Sequence, residues 1–194
     1  MLDFGIWSFR AARQYCDVIA AKSIVLIGMM GAGKSSVGRC LQQRTGLARL
    51  DTDEMVAAQF GIPIAQIFER HGEERFRIAE TEVLRTLAPV RPAIVVTGGG
   101  IVVRAENVDL LKQLGTIVWV TADEAALFER ASRRNDRPLL QKENPRAVFL
   151  DLLRKREPLY KAAADLRVDT STVTHDEVAE AILSKLEEVA GLRK

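Results

Sequence analysis

Residues 24–36 read Ile24-Val25-Leu26-Ile27-Gly28-Met29-Met30-Gly31-Ala32-Gly33-Lys34-Ser35-Ser36. An apolar run of the kind a buried parallel strand shows passes directly into Gly28-x-x-x-x-Gly33-Lys34-Ser35. This spacing solves one problem, that of holding a polyphosphate against a protein backbone. Glycines remove side chains and permit positive φ, so successive N–H groups can turn toward phosphate oxygens. A helix starting at the loop's end adds the positive end of its dipole. In such a loop the lysine reaches the outer phosphates and the hydroxyl ligates Mg²⁺. The bland alternative is a glycine turn between strand and helix with an ordinary surface lysine. The setting argues against it, because Val37, Cys40 and Leu41 continue at helical spacing. The expected nucleotide-binding residues here are Gly28, Gly31, Ala32, Gly33, Lys34, Ser35 and Ser36, with a nucleotide polyphosphate and Mg²⁺ as ligands.

Around that loop the chain alternates. Strand candidates are Ser23–Ile27, Ala48–Leu50, Ala93–Thr97, Thr116–Thr121 and Leu166–Asp169. Helical patterns lie between and after them, at Val37–Arg44, Glu54–Phe60, Ile64–His71, Glu73–Leu87, Arg104–Leu114, Glu124–Arg134, Pro145–Tyr160 and Asp176–Val189. Alternation of this kind predicts an α/β fold, a five-stranded parallel sheet in a three-layer α/β/α arrangement. Ligands in such sheets sit beyond the carboxyl ends of the strands, so the chemistry should cluster after Ile27, Leu50, Thr97 and Thr121.

Composition sets wide bounds. The 194 residues suit one domain, expected over residues 23–190. Apolar content of 47% and charged content of 28% are ordinary for a globular protein. A net charge of +2 implies no nucleic-acid partner. Cys16 and Cys40 form neither a disulfide framework nor a metal cluster and fit a reducing cytoplasm, with Cys40 expected in the core. No apolar run approaches a membrane span, so no membrane partner is expected. Residues 1–22 carry Ile6, Trp7, Phe9 and Val18 among Arg10, Arg13 and Asp17, which interrupts any signal-peptide core. An amphipathic helix packed on the domain or on a second subunit is the expectation. The protein is read as a monomer, with this extension the place where a dimer would form.

Several groups follow the loop. Asp51-Thr52-Asp53 sits at a strand end, and alternate residues of an extended segment share a face. One carboxylate could serve the metal through water and the other accept a substrate hydroxyl's hydrogen or its proton; alternatively one simply caps the next helix. Ser35 and Asp51 are the metal-side candidates. Thr97-Gly98-Gly99-Gly100 would let backbone approach a ligand closely, or be only a flexible loop. Arg77 and Glu80 are three apart on a helix; periodicity alone makes them a solvated surface pair. Arg130, Arg133, Arg134 and Arg137 crowd a helix end and a polar loop holding Pro138. Arginine there suits phosphate, but a solvated basic helix end is equally compatible. Arg154, Lys155, Arg156 and Glu157 carry the same ambiguity.

Together these pieces resemble shikimate kinase. The resemblance spans residues 23–186 and rests on Gly28–Ser35, Asp51-x-Asp53, Gly72-Glu73 with Phe76-Arg77 and Glu80, Gly98-Gly99-Gly100, Arg137-Pro138-Leu139-Leu140 and Arg156-Glu157-Pro158-Leu159-Tyr160. It implies transfer of the ATP γ-phosphoryl group to the 3-hydroxyl of shikimate, in aromatic amino acid biosynthesis. It further implies a fold like that of nucleoside monophosphate kinases, with a lid at about 135–144 and a substrate-binding helical segment at about 54–88. By resemblance Arg77 and Arg156 hold the substrate carboxylate and Asp53 takes the ring hydroxyls as the proton acceptor. Gly98, Gly99 and Gly100 contact substrate through backbone, and Phe68 and Phe76 shape the pocket. Arg137 is the lid arginine on the phosphates, acting with Asp53 and Lys34 in catalysis, and Arg130 stacks on adenine. The second adenine-flanking side chain of the family is not evident near Thr170-Ser171-Thr172. A related gluconate kinase, and a nucleotide-dependent binding module without turnover, are the alternative readings. Arg77, the triple glycine and Arg156 in one chain weigh against the first; intact Lys34, Ser35, Asp53 and Arg137 weigh against the second.

Overall fold

The structure is a computed structural model that describes residues 22–87, 91–133 and 143–189. The N-terminal extension through residue 21 lies outside the described residues, as do residues 135–142 of the expected lid, with Arg137 among them.

Five parallel strands form one sheet: β1 (Ser23–Ile27), β2 (Arg49–Asp51), β3 (Ile94–Val96), β4 (Gly115–Thr121) and β5 (Leu166–Asp169), in the order β2-β3-β1-β4-β5. Ile24 is in register with Ile94 on one side and Thr116 on the other. The central strand β1 is buried along its whole length, which is why it reads as an unbroken apolar run. From β1 the chain crosses toward the β2 edge, and from β4 it crosses toward the β5 edge. The crevice opens where those directions diverge, at the carboxyl ends of β1 and β4.

Among the described residues seven α-helices accompany the sheet: α1 (Lys34–Thr45), α2 (Thr52–Phe60), α3 (Ile64–Leu87), α4 (Ala105–Leu114), α5 (Glu124–Ser132), α6 (Pro145–Ala163) and α7 (His175–Val189). A short 3₁₀ turn, Ile101–Val103, follows the triple glycine. Helix α1 starts at Lys34, three residues before the apolar periodicity, because the end of the phosphate loop is itself its first turn. Gly33 enters it in the left-handed region and Gly46 closes it with an N–H to the Gln42 carbonyl. Strand β2 lies one residue further on than expected. Helix α6 continues past Pro158 to Ala163, so the proline does not end it. The two helical patterns at 64–71 and 73–87 form one run broken at Gly72, whose φ of 77° and ψ of 168° are non-helical.

The main core packs β1, β3 and β4 against buried residues of every helix but α2, which adds only half-buried Met55 at its edge, and it includes Tyr160 and Phe149, both fully buried. Cys40 is half-buried against it rather than enclosed. A second cluster, Val56, Ile67, Phe76, Ala79 and Val83, joins α2 to α3. The substrate-binding segment expected at 54–88 therefore has an apolar centre of its own. No helix among the described residues is long and apolar enough to cross a membrane.

Candidate active site

The loop after β1 is fastened at three points. Gly28, at φ 141°, lies against β4 so closely that a Cβ there would meet the Val120 carbonyl oxygen at 2.1 Å. Lys34 is 9% exposed, and its Nζ donates to the Gly28 and Met29 carbonyls at 2.8 and 3.1 Å. Buried Thr170, just past β5, reaches the Ala32 carbonyl at 3.2 Å and that of Thr121 at 3.1 Å. The ammonium thus lies along the loop, at the place where phosphate oxygens would bind.

Beside the loop a cavity of about 270 Å³ gathers Lys34, Ser35, Asp51, Asp53, Phe68, Phe76, Arg77, Gly98, Gly99, Gly100 and Arg156 from six separate stretches of chain. Gly28, Gly31, Ala32, Gly33, Ser36 and Arg130 stand outside its lining. Arg130 donates instead to the Thr170 hydroxyl and carbonyl, both at 3.0 Å.

Arg77 and Arg156 are each only 7% exposed. The surface-pair reading of Arg77 and Glu80 is corrected here, since Glu80 is fully buried. Arg77 Nη1 donates to Glu80 Oε2 at 2.7 Å, while Nη2 and Nε donate to Glu73 Oε1 at 2.8 and 3.2 Å. Burial opposes the charge of Arg77, but Glu80 and Glu73 outweigh it and raise its pKa above the ordinary value. Burial pushes Glu80 up to about 6, with Arg77 and Arg156 pulling it down and Asp53 raising it further. Glu80 Oε1 is buried without a hydrogen-bond partner among the described residues, a costly arrangement that points to a ligand group.

The triple glycine explains how so much charge fits. A Cβ on Gly100 would lie 2.3 Å from Arg77 Nη1; one on Gly98 would lie 2.4 Å from Asp53 Oδ1 and 3.1 Å from Glu80 Oε1. Both carboxylates therefore converge over Gly98, whose N–H donates to the Thr52 hydroxyl at 3.3 Å. Tyr160 donates to the Gly99 carbonyl and lies 6.1 Å from Trp119, ring to ring. Burial raises the Tyr160 phenol to about 12, so it stays a donor. Phe68 and Phe76 pack at 4.6 Å, and the Arg77 guanidinium stands 5.3 Å from the Phe76 ring.

Asp51 serves as the N-cap of α2, accepting the Asp53 N–H at 3.1 Å, and pairs with Arg49 at 3.2 Å. The capping reading thus holds for Asp51, while Asp53 faces the cavity. Burial raises the Asp51 pKa, with Glu54 adding to the rise and Arg49 opposing it. Among the described residues no cluster of three or more His, Cys, Asp or Glu forms a metal cage. The Ser35 hydroxyl and Asp51 carboxylate, both lining the cavity, nevertheless fit Mg²⁺, which takes hard oxygen donors, keeps several waters and shares its shell with substrate phosphates. Glu80, Tyr160 and Thr170 were not among the expected site residues. The spacing of Glu80 from Arg77 was visible in sequence, but its burial was not.

The family model for shikimate kinase matches residues 30–187. Shikimate kinase of Thermodesulfovibrio yellowstonii is 43% identical over 169 residues, covering 87% of this chain and 97% of that protein. Shikimate kinase of Bradyrhizobium diazoefficiens is 40% identical over 170 residues, covering 88% of this chain and 82% of that protein. The solved structure of Acinetobacter baumannii shikimate kinase in complex with shikimate superposes with a TM-score of 0.85 at 36% identity, covering 92% of this chain and 99% of that one.

Proposed function

The chain belongs to the shikimate kinase family, and on that premise we infer that it phosphorylates shikimate with ATP, releasing ADP and shikimate 3-phosphate. One observation carries the reading: a single cavity runs from Lys34 and Ser35 of the phosphate loop to the buried Arg77 and Arg156, with Asp53 on its wall. A small polyhydroxy acid needs cations for its carboxylate and acceptors for its hydroxyls, and this cavity offers both.

Arg77 and Arg156 bind the substrate carboxylate through charge-assisted bonds, each contributing about 1.5–3 kcal/mol. Glu73 and Glu80 hold the Arg77 fork in place for that contact. Asp53 accepts the hydrogen bond of the 3-hydroxyl, orients its oxygen toward the γ-phosphorus and takes the proton as the bond to phosphorus forms. Backbone of Gly98 to Gly100 and the rings of Phe68 and Phe76 close around the carbocycle. Phosphoryl transfer depends mostly on positioning and charge neutralisation. The N–H groups of Gly31 to Ser36 and the Lys34 ammonium supply that charge around the phosphates, and by the family resemblance Arg137 adds to it. Ser35, and Asp51 through water, would hold Mg²⁺, which would supply further positive charge to the phosphates. We place the enzyme in the cytoplasm as a monomer acting in aromatic amino acid biosynthesis.

A coupled ADP-release assay with shikimate, with gluconate and with buffer alone tests this. Turnover with shikimate only is expected; turnover with gluconate, or ADP release independent of any acceptor, would overturn it.

A further inference from the structure

We propose that Tyr160 is a positioning residue: its phenol fixes the plane of the Gly99–Gly100 peptide and so aims the Gly100 N–H into the acid-binding end of the cavity. The proposal rests on the function proposed above and deepens it at a residue that does not itself line the cavity.

A trans peptide carries its C=O and its N–H on opposite edges of one plane. Whatever holds the carbonyl therefore aims the next residue's N–H the other way. No described residue has a cis peptide bond. Tyr160 donates its phenol hydrogen to the Gly99 carbonyl from a fully buried position. That carbonyl is turned into the core, and the Gly100 N–H that shares its plane is turned outward. Gly99 and Gly100 both line the cavity, so outward is toward a ligand.

The two residues do not hold that plane by themselves. Rotating a peptide changes ψ of the residue before it and φ of the residue after it, and here both are glycines, with no Cβ to restrict either angle. Larger residues would restrict the plane but would not fit. A Cβ on Gly100 would lie 2.3 Å from Arg77 Nη1; one on Gly99 would lie 3.4 Å from Met30 N and 3.8 Å from Arg156 Nη1. The restraint comes instead from a side chain 61 residues further on. Its ring lies 6.1 Å from that of Trp119, which the Arg167 guanidinium covers in turn at 4.9 Å. The Met29 sulfur stands 3.9 Å from the phenol oxygen, but a thioether is the weaker acceptor, so the hydrogen goes to the carbonyl. Tyr160 follows Arg156 by one turn of α6 and shares its face, and the guanidinium is near enough to act on the phenol electrostatically. One anchor thus relates the Gly99–Gly100 peptide to the arginine on the same end of the cavity.

The test uses the full-length protein labelled with ¹⁵N-glycine, whose 13 glycines are few enough to resolve. In the parent, saturating shikimate is expected to move the Gly100 amide proton downfield, as an N–H moves when it gains an acceptor. Tyr160→Phe keeps the ring and removes the phenol oxygen. It is expected to raise KM for shikimate roughly 5- to 10-fold, the worth of one hydrogen bond, to leave ADP affinity with Mg²⁺ unchanged and to abolish the Gly100 shift. A purely structural role would lower the melting temperature while KM and the Gly100 shift stayed parental, and that result would overturn the proposal. Equal losses of shikimate and ADP affinity would do the same. Should the phenylalanine variant not fold, the parent decides, because a Gly100 amide that saturating shikimate does not move overturns the proposal. A parent that does not bind shikimate would overturn the proposed function itself, and this inference with it.

Discussion

Glu80 accepts a 2.7 Å bond from Arg77 one helical turn away, yet the carboxylate is completely removed from water. An exposed pair at that spacing contributes a few tenths of a kcal/mol. This pair instead places a formal charge behind a guanidinium that lines the cavity, and its second oxygen faces Asp53 over Gly98. Its value lies in aim rather than in fold stability, because ionising a buried carboxyl opposes folding.

Removing that aim should show in substrate affinity. Glu80→Gln is expected to raise KM for shikimate by roughly 10-fold or more, the worth of a charge-assisted bond, with KM for ATP unchanged. Steady-state kinetics with each substrate varied in turn checks it. An effect on ATP alone would place Glu80 outside the acid-binding end.

The same residue fixes a pH dependence of stability. Its carboxyl is raised from 4.5 to about 6, so the folded protein binds the proton more tightly than the unfolded chain. Between pH 4.5 and 6 the native state holds more protons, and unfolding free energy falls as pH rises through that window. The Glu80 contribution is most favourable below the window and is lost above it, by about 2 kcal/mol. Urea unfolding of parent and Glu80→Gln at several pH values should diverge through that window; parallel curves would refute the burial argument.

Gly100→Ala tests the close approach directly. Its φ of −98° suits any residue, so the cost is collision alone. The new methyl would sit 2.3 Å from a guanidinium nitrogen that Glu80 and Glu73 already hold. Displacing Arg77 should raise KM for shikimate about 10-fold or more and leave ADP affinity intact. Parental kinetics would mean that the fork moves freely.

Asp53→Asn keeps the shape and removes the carboxylate proposed to take the proton. A fall in kcat of about 10²–10⁴ is expected, the usual worth of a positioned general base, without loss of ADP binding. Turnover close to that of the parent would limit Asp53 to holding the hydroxyl.

Tyr160→Phe removes only the phenol oxygen that bonds the Gly99 carbonyl. Stability should drop by about 1 kcal/mol, the net worth of such a bond, and a thermal melt reads it. An unchanged melting temperature would mean that water replaces the phenol.

Much of the architecture was legible because it is local. The strand, the phosphate loop and the start of α1 are written within residues 24–36, and the strand–helix alternation follows from periodicities of two and 3.6. Asp53 and the triple glycine could be placed at strand ends, and strand ends in a parallel sheet share one edge. Other features were less accessible. Helix α1 began earlier than its apolar pattern, because a phosphate loop satisfies its first turn without apolar residues. Helix α6 ran three residues past its expected end at Tyr160, to Ala163.

Read without its structure, the chain determined the sheet, the phosphate loop, the chemical types available at each strand end and the resemblance that links them. The tertiary structure alone decided which charges are withdrawn from water. Arg77 and Glu80 read as a surface pair until helix α3 is laid across the end of β3. Spacing along a chain specifies which side chains share a face, but desolvation depends on what covers that face. That cover comes from segments distant in sequence, here Gly98–Gly100 and Arg156, and from their packing the pocket acquires its charge and its fit.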